Sequence, residues 1–111
     1  MSPVEALAAR QLDAYNAADL DAFCACYHAD VAVLGADGTE SFRGIEAFRE
    51  RYRSKFEAGG FGATVETRVS VGEHCVDLEH WWVDGPPRSE GTVLVRYSLR
   101  DDRIGVVQFF R

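Results

Sequence analysis

The hydrophobic period of this chain changes once, at Phe61, and that change limits the folds open to it more than any other feature. Before it, one short hairpin apart, apolar residues recur every three or four positions, the spacing of one helix face; after it they alternate, as strand side chains do between the two faces of a sheet. Helices gathered ahead of a run of long strands predict an α+β fold in which the helices cover one face of a curved, mainly antiparallel sheet. At 111 residues the chain can bury a core without disulfides or a structural metal, and no composition shift or linker marks a second unit. One domain over residues 1–111 is expected.

Ser2, Pro3 and Glu5 read as a helix start, the hydroxyl capping a free N–H and Glu5 completing a capping box. Val4, Leu7, Ala8, Gln11, Leu12 and Tyr15 then form an inward stripe broken by one amide. Asp19 is placed to cap a second helix with the stripe Leu20, Phe23, Cys24 and Tyr27, predicted to end near Asp30. Val31 to Leu34 and Thr39 to Arg43 form a small hairpin about the turn from Gly35 to Gly38. Ile45, Phe48, Tyr52 and Phe56 mark a third helix, closed by Gly59 and Gly60, with Glu46, Arg49, Glu50, Arg53 and Lys55 assigned to its solvated faces. Thr64 to Val71, Cys75 to Val83, Ser89 to Leu99 and Ile104 to Phe110 are four strands whose short links predict an antiparallel meander.

The second of those strands, CVDLEHWWV, has no simple wet face. Cys75, Asp77, Glu79 and Trp81 share one side and Val76, Leu78, His80 and Trp82 the other. Two readings follow. Asp77 and Glu79 are acids in the wall of a pocket, or they belong to a solvated strip while Val65, Val69, Val76 and Leu78 supply the core. A two-residue turn at Gly72-Glu73 sets Arg68 opposite Asp77 and Glu66 opposite Glu79. Facing inward, such a cluster has one carboxylate held ionised by Arg68 and another pushed toward neutrality by burial, which separates a base from an acid. Asp77 and Glu79 are therefore the candidate catalytic pair. Gln11, Tyr15, Tyr27, Tyr52, Arg68, Trp81 and Tyr97 are the candidate substrate-binding side chains. Gln11 stands out among them because a buried amide without partners is costly.

Cys75 shares the acidic face with no histidine on that side of the strand, so it offers no activated nucleophile. His28, His74 and His80 have no metal-ligand spacing, and neither a metal nor a cofactor is expected. Eighteen acidic residues against twelve basic ones, a formal charge of -6, argue against nucleic acid and anionic membranes as partners. Three cysteines with no CxxC pair suggest a reducing cytoplasm. An amphipathic pattern beginning at Pro3 leaves no room for a signal peptide, and no apolar run approaches membrane-spanning length. The last strand places Val107 and Phe109 on one side and Ile104, Val106 and Phe110 on the other, so it is apolar on both. With Trp82 this predicts a homodimer through the open sheet face.

The order of elements, with the stretch from Asp13 to Phe23 (DAYNAADLDAF) and the following Tyr27 to Val31, resembles the NTF2-like superfamily, which includes ketosteroid isomerases and SnoaL-like polyketide cyclases. The resemblance implies a cone-shaped α+β barrel with a cavity between helices and sheet, an inward orientation for Asp77 and Glu79, and dimers. It does not carry over the isomerase residues. Aligned on Asn16 to Asp21, the helix-one tyrosine falls at Gln11, the general-base aspartate at Gly35 and the penultimate-strand acid near Val95. The function expected is a small-molecule pocket for an apolar compound with acid-base catalysis of isomerase, cyclase or hydrolase type. The alternative is a non-catalytic ligand-binding or dimerisation module on the same fold.

Overall fold

The computed structural model describes residues 1–111. Helix α1 (Pro3–Asn16) starts as expected: Ser2 Oγ accepts from the Glu5 amide at 3.3 Å, and Glu5 Oε1 accepts from the Ser2 amide at 3.5 Å. The same carboxylate accepts from Ser70 Oγ at 2.6 Å, which ties the helix start to the sheet. At its other end the Asn16 amide donates to Ala63 O at 2.9 Å and accepts from Ala63 N at 2.8 Å. Ala63 lies on β3 (Phe61–Val71), an edge strand, and Asn16 supplies there the pairing that a neighbouring strand would give.

Asp19 caps α2 (Leu20–Cys24) through the Ala22 amide at 3.1 Å, but the helix stops well short of Asp30. Tyr27 already belongs to β1 (Tyr27–Leu34), which runs parallel to β6 (Arg103–Phe110), with Tyr27 beside Ile104. The Ile104 amide donates to Cys26 O at 3.0 Å. A partner at the far end of the chain outbids the local helical spacing. β2 (Glu40–Arg43) returns antiparallel to β1, and α3 (Ile45–Ala58) follows, ending at Gly59 and Gly60, both with positive φ.

The meander itself is β3, β4 (His74–Val83), β5 (Ser89–Arg100) and β6, giving one six-stranded sheet in the order β2-β1-β6-β5-β4-β3. It curls around the helices without closing, because β2 and β3 remain its two edges. The turn sets Arg68 opposite Asp77 as expected, but Glu79 faces Val65 and not Glu66. A bulge at Glu66 is the reason. The extra residue turns Glu66 out to solvent and reverses the parity of the strand, so Phe61, Ala63 and Val65 point inward before it and Arg68 and Ser70 after it. A second bulge, at Gly105, turns Ile104 into the core on the same side as Val107, not onto the outer face where strict alternation places it.

Pairing with β5 decides which face of β4 is covered. Cys75, Asp77 and Glu79 stand opposite Tyr97, Val95 and Val93, whose side chains meet the helices. The acids are therefore inside, and the reading that sent Val69, Val76 and Leu78 to the core is inverted. Val69 is 61% exposed, and Leu94 and Phe110 on the same outer face are 42% and 36% exposed. The core centres on Phe23, which stacks on Phe48 with centroids 5.5 Å apart and meets Tyr15, Tyr27, Tyr52 and Phe56 edge-on or tilted. No helix is long and apolar enough to cross a membrane.

Candidate functional site

Between α1, α3 and the inner face of the sheet lies a cavity of about 320 Å³, within the size range of small-molecule sites. Aromatic and aliphatic side chains make up most of its wall: Tyr15 from α1, Phe48 and Tyr52 from α3, Trp81 from β4, Val93 and Tyr97 from β5, and Phe109 from β6. Trp81 sits across from Gly91, where any Cβ would come within 2.9 Å of the indole. A glycine at that place lets the ring lie against the neighbouring strand.

Glu79 is the one carboxylate in this wall. It ends a chain of buried hydrogen bonds that all donate toward it. The Tyr27 hydroxyl donates to Gln11 Oε1 at 2.9 Å, Gln11 Nε2 donates to the Tyr97 hydroxyl at 3.0 Å, and Tyr97 donates to Glu79 Oε2 at 3.0 Å. Gln11 also donates to Ala8 O at 3.0 Å, so the amide that breaks the apolar stripe of α1 is fully partnered. Such a chain polarises in one sense and favours negative charge on Glu79.

Burial opposes it and prevails. Desolvation raises the Glu79 carboxyl from its usual 4.5 to about 7; the Tyr97 hydrogen bond and Arg68 pull it down, and Asp77 adds to the rise. The second oxygen, Oε1, has no protein donor and is not sealed from the cavity. A carboxyl group that titrates near neutrality with one free oxygen in an apolar cavity is fit to take up and return a proton.

The sequence paired Asp77 with Glu79, and the structure separates their settings. Asp77 is fully buried and lies outside the cavity wall, gripped by Arg68 through Nε at 2.7 Å and Nη2 at 2.9 Å. The same hydrogen bonds raise the Arg68 pKa further above its usual value, and the guanidinium remains charged. Cys75 touches Asp77 with its thiol at 3.6 Å, and burial pushes that thiol up to about 11, so it is no nucleophile. Arg68 and Asp77 form a locked ion pair behind the wall and tune Glu79 from a distance. Gln11, Tyr15, Tyr27, Tyr52, Trp81 and Tyr97 do line the cavity.

Tyr15 and Tyr52 donate to no protein acceptor, in contrast to Tyr27 and Tyr97. Desolvation keeps both hydroxyls protonated, raising Tyr52 to about 12 and Tyr15 further. They are free donors for a ligand oxygen. No three of the histidine, cysteine, aspartate and glutamate side chains converge as a metal site. Sequence reasoning missed Arg51, Lys55 and Arg111, which also line the cavity. A signal existed, since Phe48, Arg51, Tyr52 and Lys55 repeat at helical spacing and so share one face of α3.

A family model of the SnoaL-like domain matches residues 8–107. Among solved structures, an uncharacterized cystatin fold protein from Novosphingobium aromaticivorans is 27% identical over 100% of this chain and 99% of its own, with a TM-score of 0.84. The Delta 5-3-ketosteroid isomerase from a Mycobacterium species is 18% identical over 100% and 94%, with a TM-score of 0.86. A Mycobacterium tuberculosis protein in complex with estradiol-17beta-hemisuccinate is 18% identical over 100% and 95%, with a TM-score of 0.85. The last two likenesses are of fold alone. None of the curated proteins searched matches the chain.

Proposed function

The chain belongs to the SnoaL-like domain family, and from that premise we propose that its cavity binds an apolar small molecule carrying a carbonyl group and that Glu79 moves a proton on it. One observation carries the reading: a carboxyl raised to about 7 by burial ends an oriented hydrogen-bond chain in an aromatic cavity, with one oxygen free. Ionised Glu79 takes a proton from the carbon beside the carbonyl, and the electron pair passes to the oxygen. Tyr15 and Tyr52 supply hydroxyls for that developing enolate. Where a carbon–carbon double bond lies next to that carbon, return of the same proton to the far end of the resulting dienolate shifts the double bond and completes an isomerisation. Attack of the carbanion on a second carbonyl of the molecule, with the proton held by Glu79 passing to the alkoxide that this forms, completes a ring closure. Asp77 takes no proton in this scheme; with Arg68 it sets the charge behind Glu79.

The test needs no knowledge of the physiological compound. Exchange of α-protons for deuterium is followed by NMR on a panel of cyclic ketones, with wild type and Glu79→Gln. Exchange that rises with pH through about 7 and disappears in the variant supports the assignment. Equal exchange in both removes it. A compound that binds without exchange in either favours the non-catalytic alternative.

Two further assignments belong to the same proposal. The outer sheet face, which carries Leu94, Phe110 and Val69 exposed and Trp82 half-buried, supports a homodimer through that surface. Cys24, Cys26 and Cys75 are all free and buried, which supports residence in the reducing cytoplasm.

A further inference from the structure

Seven of the twelve basic side chains of this acidic protein pair with a carboxylate. Of the others, Arg51, Lys55 and Arg111 all line the one cavity that holds Glu79. Their neighbours on α3 behave differently, Arg49 pairing with Asp21 at 2.6 Å and Arg53 with Glu50 at 3.0 Å. Aromatic faces hold the three cations in place of carboxylates. Lys55 Nζ lies 5.1 Å from the ring centres of both Tyr15 and Phe61, the Arg51 guanidinium 5.7 Å from Phe42, and that of Arg111 5.0 Å from Phe109. A ring face fixes a cation without cancelling its charge.

Two of the cations mark the open end of the cavity. Arg51 and Arg111 are exposed, whereas Glu79, Gln11 and Tyr97 are buried, so charge gathers at the mouth and the proton carrier at the floor. Arg51 and Arg111 also line an adjoining cleft with Tyr52 and Phe109, which sets them at the junction of the two spaces. Tyr15 and Tyr52 line the same cavity and are half-buried, between the exposed arginines and the buried Glu79. Burial and the nearby Arg111 lower the Lys55 pKa, a repulsion that a bound anion relieves.

We propose that the ligand is an amphipathic anion, a ring system bearing a carboxylate, whose acidic group lodges among Arg51, Lys55 and Arg111 while its apolar body extends past Tyr15 and Tyr52 to Glu79. This deepens the function proposed above and rests on it. Three cations without carboxylate partners mark a place where an anion gains charge-assisted hydrogen bonds against an apolar wall. A neutral compound of the same shape forgoes them.

The experiment compares two fluorescent probes of nearly equal shape, anilinonaphthalene sulfonate and its uncharged parent phenylnaphthylamine. Wild type at low salt is expected to bind the anion roughly tenfold or more tightly than the neutral probe, with the advantage shrinking as salt is added. Arg51→Met with Lys55→Met, which keeps apolar stems in place, is expected to abolish the preference and leave the neutral probe bound as well or better. Arg10→Gln, an exposed arginine on α1 away from the cavity, is expected to preserve it. No preference in wild type, or one that survives the double substitution or is lost with Arg10, overturns the inference. Binding of neither probe removes the ligand cavity and both readings with it. Glu79→Gln separates the two: loss of proton exchange with the anion preference intact is the result expected if both hold, whereas exchange on neutral ketones without any preference leaves only the earlier reading standing.

Discussion

The most direct consequence of the buried carboxyl is a dependence of stability on pH that Glu79→Gln removes. Burial raises the Glu79 carboxyl from its usual 4.5 to about 7, so the folded chain holds this proton more tightly than the unfolded chain does. The sign follows. Stability from this group is fullest below about 4.5 and is lost as pH rises through about 7, because the folded state must then carry a charge that burial penalises. At about 1.36 kcal/mol per pH unit, the gap between 4.5 and 7 is worth about 3 kcal/mol. Glutamine has nearly the same shape, can accept from Tyr97 through its carbonyl oxygen and has no charge to bury. Urea denaturation of wild type and variant at a series of pH values is the assay. The variant is expected to gain on wild type by about 2–3 kcal/mol between about pH 5 and about pH 8, and to be the more stable protein at the upper end. A difference that stays constant across this window, or a variant less stable than wild type at high pH, refutes the account of Glu79 as a carboxyl strained by desolvation.

Arg68→Met leaves Asp77 buried without its partner and is expected to cost about 3–5 kcal/mol in urea denaturation, with Arg68→Met plus Asp77→Leu recovering most of it; equal loss in both contradicts the ion-pair reading. Tyr97→Phe removes the one protein donor to Glu79, so carboxyl-carbon NMR should find the Glu79 titration moved upward by about one pH unit or more; a downward move contradicts the oriented chain. Leu94→Arg places a charge beside Phe110 on the open sheet face and is expected to convert a dimer to monomer in sedimentation velocity with little change in melting, since Leu94 is already 42% exposed; a wild type that sediments as monomer at every concentration ends the dimer proposal.

Much of this architecture is written in local pattern. The Ser2 to Glu5 capping box, the stripes of α1 and α3 and the alternation of the four long strands depend on neighbours in sequence, and the structure keeps them. The facing of Arg68 and Asp77 was legible for the same reason, because a two-residue turn sets the register of the strands it joins. Register farther from the turn was not. One inserted residue at Glu66 replaced the expected acid opposite Glu79 with Val65, and one at Gly105 turned Ile104 inward. Bulges leave the alternation of each half strand intact, so pattern alone does not locate them.

What the sequence determined by itself was the kind of elements, their order and the short list of polar side chains set among apolar ones, since helix and strand periods and turn residues act within a few positions of each other. What only the tertiary structure decided was the partition of those side chains. Parallel pairing of β1 with β6 ended α2 at Cys24, and pairing of β4 with β5 turned the acids inward. The curl of the sheet then left Glu79 in a cavity and Asp77 behind its wall, locked to Arg68. A carboxyl group acquires its chemistry from the dielectric and the charges around it, and those are supplied by residues far away in sequence.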